Sequence, residues 1–169
     1  MTAIEETRTD GAGQCTRGSS RLSVDDATRA LTLPHLPYGD AVRAALDAVG
    51  LWPSAFEAGL RTGRTGASEL FLRAVWPAGA PLLGEIARPG GVTVAWSHVT
   101  GWSVHNAYED VVLLDDDALA DPAVIADAAR HYARHGLDRA WRVPRQARWE
   151  YALELDIALV HFDERGAVR

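Results

Sequence analysis

Apolar and polar residues alternate most clearly in the stretch Val92–His105, whose sequence is VTVAWSHVTGWSVH. The apolar positions before and after a polar turn at Gly101 all fall at a period of two; they are Val92, Val94, Trp96, Trp102 and Val104. This pattern predicts a β-hairpin in which the two tryptophans meet across the strands and fix their register.

The surrounding patterns predict two longer helices and two further strands. Apolar residues keep helical spacing from Tyr38 to Val49, and Gly50 is a natural helix end. Asp121 followed by Pro122 is typical of a helix start, and that helix is expected to end at Gly136. Period-two patterns predict strands over Glu69–Trp76 and Val111–Leu114.

Other segments carry weaker patterns. Short helices are expected over Ser23–Leu31 and over Trp52–Leu60, where Pro53 suits a first turn, and a short strand is expected near Leu82–Ala87. Near-perfect alternation over Trp149–Leu159 favours a strand followed by a turn at Asp163–Gly166. A helix remains the alternative there, because Ala, Leu and Glu are good helix formers. Together these elements predict an α+β domain, with helices packed on one face of an antiparallel sheet.

Length and composition favour a single domain with a real hydrophobic core. The chain has 169 residues, of which 47% are hydrophobic. Residues 1–21 are polar and aperiodic, which predicts a disordered arm ahead of a domain over residues 22–169. No apolar run is long enough to span a membrane, the first residues lack the apolar core of a secretory signal, and Cys15 is the lone cysteine. A cytoplasmic location is therefore expected.

The charged residues are unusual in kind. All 17 cationic residues are arginine, which indicates a GC-rich, actinobacterial genome rather than selection for guanidinium chemistry. The net charge of −6 argues against a general nucleic-acid binder unless the positive charge is concentrated locally.

Three segments together resemble a small actinobacterial domain family of unknown function. They are PHLPYGDAVRAAL at residues 34–46, VTVAWSHVTGWSV at 92–104 and DPAVIADAARHYARHG at 121–136. The resemblance rests on a Pro-His-x-Pro-Tyr helix entry, a W-x(5)-GW hairpin and a proline-capped closing helix, and it covers residues 34–136. The family has no established activity, so the resemblance implies no catalytic residue, and residues 139–169 lie outside it as a C-terminal extension.

Two sets of residues are candidates for site chemistry. Asp127, His131 and His135 occupy one row of a helix and could hold a metal, although the simpler expectation is a solvated helix face with no metal and no cofactor. His98 and His105 flank Trp102 on the hairpin and could act as general bases or ligands, with Asp110 or Glu109 as an orienting carboxylate. In that case Trp96 and Trp102 would line a pocket between the sheet and the helix that begins at Asp121.

A run of arginines with interleaved tryptophans is the most unusual local feature of the composition. Six arginines lie within residues 130–148, opposed only by Asp138, while residues 109–121 carry six acidic residues. Pairing between the two runs, within one chain or in a homodimer, would account for both. The expected interaction surface consists of Trp141, Arg142, Arg145, Arg148 and Trp149, because Arg and Trp are enriched at protein interfaces.

The sequence therefore favours a non-catalytic regulatory or accessory protein that binds another protein or a second copy of itself. The alternative is a small enzyme or ligand-binding protein with an aromatic, His-lined pocket. Nucleic-acid binding through the Arg/Trp segment ranks third, because Arg and Trp can also hold phosphates and stack on bases.

Overall fold

A computed structural model of the protein describes residues 33–63, 66–114, 117–142 and 147–167. The predicted disordered arm and the predicted helix Ser23–Leu31 lie outside these ranges, as do Cys15 and Arg145. The described residues form three helices and five strands, in the order α1 (Leu36–Ala48), β1 (Ala55–Thr62), β2 (Ser68–Trp76), β3 (Val92–Ser97), β4 (Gly101–His105), β5 (Val111–Leu113), α2 (Pro122–His135) and α3 (Ala152–Ala167). The α+β class predicted from the sequence is confirmed.

The five strands form one antiparallel sheet in the order β1-β2-β3-β4-β5. Each strand therefore pairs with its neighbour in sequence, as a chain of short connections favours. The predicted hairpin is β3–β4, and its register places Trp96 directly opposite Trp102. The predicted strand Glu69–Trp76 is β2, and β5 matches the predicted strand after the hairpin.

One face of the sheet carries the hydrophobic core. Even-numbered residues of β2, β3 and β4 point to this face, where α1 packs on α2 and the helices contact the sheet. The buried side chains of this face include Leu70, Leu72, Ala74, Trp76, Val92, Val94, Trp96, Trp102 and Val104. On the opposite face, which we call the open face, Arg73 is exposed and Phe71 and Val75 are only partly buried. This asymmetry is typical of an antiparallel sheet with one solvated side.

The ends of α1 and α2 follow the capping residues in the sequence. The Asp121 carboxylate accepts a hydrogen bond from the Ala123 N–H at 2.8 Å, and Pro122 is the first residue of α2. Gly50 and Gly136 follow α1 and α2 with φ angles of +73° and +68°, a region that favours glycine. Both helix ends agree with the prediction.

The predicted helix Trp52–Leu60 is wrong, since residues 55–62 form strand β1. Phe56, Ala58 and Leu60 alternate with Glu57, Gly59 and Arg61, and all eight residues of β1 pair with β2. The long ladder and the glycine in the middle of the segment outweigh the helix-start signal of Pro53.

The short strand expected near Leu82–Ala87 is also absent, because this segment forms consecutive turns. Its backbone bonds go to other partners: the Gly84 N–H donates to the Ala133 carbonyl of α2 at 2.8 Å, and the Arg88 N–H donates to the Gly84 carbonyl. The Arg88 guanidinium also donates to the Leu83 carbonyl. The segment therefore closes the end of α2 rather than extending the sheet.

The strand predicted over Trp149–Leu159 is wrong as well, and the predicted turn at Asp163–Gly166 lies inside the same helix, α3. The helix alternative is the observed one, as expected for a segment rich in Ala, Leu and Glu. Its period-two pattern has a consequence in a helix, because residues on both sides of α3 are then apolar. Leu155 is buried in the core, whereas Leu153 and Ile157 are exposed.

Candidate functional site

The two hairpin tryptophans lie in the core and do not line a pocket. Trp96 and Trp102 are almost fully buried. The Trp96 indole N–H donates to the Ala118 carbonyl at 2.6 Å, and the Trp102 indole N–H donates to the Tyr38 hydroxyl at 3.1 Å. The space between the sheet and α2 is filled by side chains, so the pocket expected there is absent from the described part of the chain.

His98 connects the hairpin to α3. Its Nδ1 accepts a hydrogen bond from the Leu70 N–H at 3.0 Å, and its Nε2 lies 3.1 Å from the Asp163 carboxylate. The imidazole also packs edge-on against Phe162 at 5.5 Å between ring centroids. Because both ring nitrogens have partners and the side chain is buried, His98 positions α3 and has no free nitrogen to act as a general base.

His105 lies on the open face of the sheet, away from His98. Its Nε2 is 2.8 Å from the Ser103 hydroxyl, and burial together with the charges of Arg73 and Arg61 lowers its pKa. Asp110 does not orient it through any described contact; the Asp110 carboxylate instead accepts a hydrogen bond from the Asn106 amide at 2.9 Å. Among the described residues, no carboxylate is hydrogen-bonded to His105 in the way that a catalytic triad requires.

Two of the three metal candidates on α2, Asp127 and His131, form hydrogen bonds to other residues. The Asp127 carboxylate accepts hydrogen bonds from Arg130 at 2.6 Å and from the Trp141 indole at 3.1 Å; burial alone would raise its pKa, but these contacts lower it. His131 Nε2 bonds to the Arg139 carbonyl, and His131 lies 4.9 Å from His135 between ring centroids. Within the described ranges, no group of three or more His, Cys, Asp and Glu residues is arranged to hold a metal ion.

The Arg/Trp segment is partly occupied by contacts within the chain. Arg148 lies between the carboxylates of Asp156, at 2.7 Å, and Asp117, at 2.8 Å, and both raise its pKa. Trp149 is partly buried against Tyr38, with 5.0 Å between ring centroids. Arg142 is exposed. The acidic run and the basic run of the sequence therefore meet within one chain, at least through Asp117 and Arg148.

A short antiparallel contact places this segment. The Asp121 N–H donates to the Ala147 carbonyl at 2.7 Å, and the Trp149 N–H donates to the Leu119 carbonyl at 2.9 Å. These two hydrogen bonds hold Trp149 against the core just before α3, so they fix the position at which α3 begins.

A groove of about 490 Å³ lies between the start of α1 and the start of α3. Its walls are mainly apolar, and its polar rim is formed by two glutamates; the lining residues include Pro34, Pro37, Trp149, Glu150, Tyr151 and Glu154. The rings of Trp149 and Tyr151 meet edge to face at 5.4 Å and form a corner of the groove. Neither Glu150 nor Glu154 forms a salt bridge with a described residue, so the groove has an acidic rim.

The outward side of α3 is the largest exposed apolar feature of a described helix. Leu153, Ile157 and Val160 follow the spacing i, i+4, i+7 and are 66%, 53% and 56% exposed. Glu154 and Glu164 belong to α3 and Glu150 lies in the turn before it; all three are exposed, and His161 contacts Glu164 at 3.3 Å. We refer to Leu153, Ile157 and Val160 with these three glutamates as the α3 contact surface.

His35 is a buried polar residue immediately before α1. It stacks on Trp96 at 5.7 Å between ring centroids, and its Nε2 lies 3.1 Å from the Phe71 carbonyl. Its Nδ1 is buried without a hydrogen-bond partner, and burial lowers the pKa of His35 from 6.5 to about 4. His35 therefore stays neutral at pH 7, with Nε2 as the donor.

The α3 contact surface is not predicted by the sequence pattern, because the period-two alternation of the same apolar residues favours a strand. The signal was present: the segment is rich in strong helix formers, and on a helix its alternating apolar residues cannot all face the core.

No protein-family model matches the chain, and neither a curated protein nor a solved structure matches it significantly. The resemblance to an actinobacterial family of unknown function therefore stays a prediction. None of the described helices combines the length and the apolar character needed to cross a membrane.

Proposed function

We propose that the protein is a non-catalytic accessory protein of the actinobacterial cytoplasm that binds another protein through the α3 contact surface. The single observation that carries this proposal is that α3 is apolar on both sides. Its inward residues Leu155 and Leu159 pack on the core, while Leu153, Ile157 and Val160 face solvent. An exposed apolar row at i, i+4, i+7 is the usual anchor pattern of helix-mediated recognition.

The charge of the surface indicates the chemistry of the partner. The three glutamates of the α3 contact surface flank its apolar row, and the chain as a whole carries a net charge of −6. A complementary partner segment presents apolar side chains between Lys or Arg residues, because opposite charges around an apolar centre favour encounter and exclude wrong partners. Arg148 supports a protein partner over a nucleic acid, since two aspartates engage its guanidinium.

The experiment is site-specific photocrosslinking in cells that make the protein naturally. The photoreactive residue p-benzoylphenylalanine replaces Ile157, and in a matched control it replaces Ile86, which is 66% exposed and lies far along the chain in the turns before β3. The expected result is one predominant cross-linked partner at position 157 and none at position 86. Mass spectrometry of the linked peptide is expected to find Lys or Arg residues beside the apolar site of attachment.

A second variant tests the assigned charge. Changing Glu150, Glu154 and Glu164 to Gln keeps the size of each side chain and removes three charges, so the yield of the cross-link at position 157 is expected to fall several-fold. Equal cross-linking at positions 157 and 86, or a linked peptide without basic residues, would contradict the proposal.

The groove favours a second function, the binding of a small organic cation. Its volume of about 490 Å³ is within the usual range for ligand sites, and the Trp149–Tyr151 corner beside two glutamates suits a cation with an aromatic or apolar body. The probe is benzyltrimethylammonium, followed by quenching of tryptophan fluorescence. The variant Ala158→Phe fills the groove and is expected to abolish this binding while leaving the cross-link at position 157 intact. Unchanged binding in this variant would rule out the groove as the site.

A further inference from the structure

Strand β1 forms one edge of the sheet, and no described strand pairs with its outer side. It is eight residues long, whereas β5 at the other edge has only three. Its sequence AFEAGLRT contains no proline or lysine, and its pairing with β2 is regular over all eight residues. A long regular edge of this kind presents unpaired backbone donors and acceptors to another strand.

The pairing with β2 identifies the backbone groups that face outward. The Gly63 N–H donates to the Ala67 carbonyl at 2.7 Å, so this residue pair is a hydrogen-bonded one. Hydrogen-bonded and non-hydrogen-bonded pairs alternate along an antiparallel ladder, and the odd-numbered residues of β1 therefore bond to β2. The N–H and C=O groups of Phe56, Ala58, Leu60 and Thr62 point to the free edge.

Two ion pairs cross from β1 to β2 on the open face. Arg61 lies opposite Glu69, with the charged atoms 2.8 Å apart, and Glu57 lies opposite Arg73 at 3.4 Å. The order of charge is reversed between the two pairs, since β1 contributes the cation in one and the anion in the other. Gly59 lies midway between Glu57 and Arg61.

We infer that two copies of the protein pair antiparallel through β1, with Gly59 of one copy opposite Gly59 of the other. In this register Glu57 of each copy lies opposite Arg61 of the other copy, and a two-fold axis perpendicular to the sheet relates them. The charges then alternate across four strands in the order Glu69, Arg61, Glu57, Arg73, once on each side of the axis. The joint sheet has ten strands, with the helices of both copies on the same face.

Packing on the helix-covered face favours the same register. Leu60, which is 51% exposed, lies opposite Ala58 of the second copy and is covered by it. Shifting one strand by two residues instead places Glu57 opposite Gly59 or Gly63, which removes both ion pairs across the joint. Odd shifts are excluded, because they would place residues of the two faces opposite each other.

Sedimentation of two charge variants, alone and mixed, tests the assigned contacts. Glu57→Arg places two cations opposite each other in its own dimer, and Arg61→Glu places two anions opposite each other. Mixing them restores two attractive pairs in the heterodimer, because the introduced arginine then faces the introduced glutamate, and the retained Arg61 faces the retained Glu57. The mixture is expected to associate about tenfold more tightly than either variant alone. Each variant also loses its own ion pair with β2, Glu57–Arg73 or Arg61–Glu69. The mixture contains the same chains as the separate samples, so this loss does not affect the comparison.

Disulfide formation tests the register in a Cys15→Ser background. Gly59→Cys places two thiols at a non-hydrogen-bonded pair, where Cα atoms lie about 4.5 Å apart, within reach of a disulfide. Added atoms fit at Gly59, since a Cβ there would lie 3.4 Å from the Phe71 ring. In the control variant Ala58→Cys, the two thiols are diagonal neighbours at about 7–8 Å and are not expected to link.

The inference predicts a dimer in the wild-type protein, restoration by mixing and a cross-link at position 59 alone. A monomer at every concentration, a mixture no tighter than its components, or cross-linking at position 58 instead of 59 would overturn it. None of these results depends on the α3 contact surface, which lies on a different element.

Discussion

The Tyr38 hydroxyl accepts a hydrogen bond from the Trp102 indole N–H at 3.1 Å, which joins two residues that lie 64 positions apart in the chain. The same hydroxyl donates to the Ala120 carbonyl at 2.7 Å. Tyr38 also contacts the rings of Trp96, Trp102 and Trp149 at centroid distances of 5.0–6.1 Å. One buried side chain of α1 therefore connects the hairpin, the segment before α2 and the start of α3.

Replacing Tyr38 with Phe is expected to lower the free energy of unfolding by about 2 kcal/mol. The ring stays in place, but the buried Trp102 N–H and the Ala120 carbonyl lose their partner without gaining water. Urea unfolding measures the change, with an unchanged dependence on urea concentration as evidence that the fold is retained. Tyr151→Phe is the control, since Tyr151 is exposed and its hydroxyl has no described hydrogen bond. Equal stability of the two variants would show that the Tyr38 hydroxyl contributes nothing.

The burial of neutral His35 predicts that the protein loses stability in mild acid. Its pKa is about 4 in the folded chain and 6.5 in the unfolded chain, so only the unfolded chain binds the proton between these values. The free energy of unfolding is therefore expected to fall as the pH decreases from 6.5 towards 4, by about 3 kcal/mol over the whole window. The lowered pKa of His105 acts in the same direction.

The variant His35→Gln isolates the contribution of His35, because its amide can still donate to the Phe71 carbonyl but does not titrate. Unfolding measured between pH 7 and pH 4.5 is expected to depend less on pH in this variant than in the wild type. His161→Gln is the control, since His161 is exposed and its removal leaves His35 unchanged. A pH dependence that is identical in wild type and His35→Gln would contradict the assignment.

Two helical glycines are expected to respond to alanine with opposite signs. A Cβ at Gly39 in α1 would lie 2.8 Å from the Leu72 side chain, so Gly39→Ala is expected to destabilise the protein by about 1–3 kcal/mol. A Cβ at Gly166 in α3 meets nothing within 4 Å, so Gly166→Ala is expected to stabilise it by up to about 1 kcal/mol through helix propensity. Thermal unfolding of the two variants gives the comparison, and changes of the same sign would contradict the close packing at Gly39.

Removing the charge of Arg148 is expected to change stability only slightly. Arg148→Gln breaks contacts with Asp156 and Asp117, but the side chain is 47% exposed and such pairs contribute about 1 kcal/mol or less. The variant is also expected to leave cross-linking at position 157 unchanged, because Arg148 engages its own chain. Loss of the partner in Arg148→Gln without loss of fold would instead support the Arg/Trp segment as the interaction surface.

Local sequence patterns predicted the secondary structure correctly wherever the short-range signal and the tertiary environment favour the same element. The hairpin, the strand β2 and the helices that begin near Tyr38 and at Pro122 were predicted, since alternation, helical spacing and capping residues act within a few positions. The strand assigned to residues 149–159 and the helix assigned to residues 52–60 failed for one reason. In both segments short-range signals favoured different structures, and the choice depends on whether a partner strand lies alongside. Strand β2 lies beside residues 55–62, whereas no described strand pairs with residues 152–167.

The candidate sites show the same division. The sequence could identify Trp96 and Trp102 as cross-strand partners, because a hairpin register is local. It could not show that the Ala118 carbonyl and the Tyr38 hydroxyl would accept hydrogen bonds from their indole N–H groups. It could identify a basic and an acidic run, but not that Arg148 would lie between Asp117 and Asp156. Long-range pairing depends on how the elements pack.

The sequence by itself therefore determined the α+β class, the antiparallel hairpin and the ends of two helices, because these depend on periodicity and on capping and turn residues close together in the chain. Only the tertiary structure decided which apolar side chains are covered. It buried the two hairpin tryptophans, left Leu153, Ile157 and Val160 exposed, and placed β1 at an edge of the sheet formed by the described strands. Burial depends on contacts between residues far apart in sequence, and no local pattern contains that information.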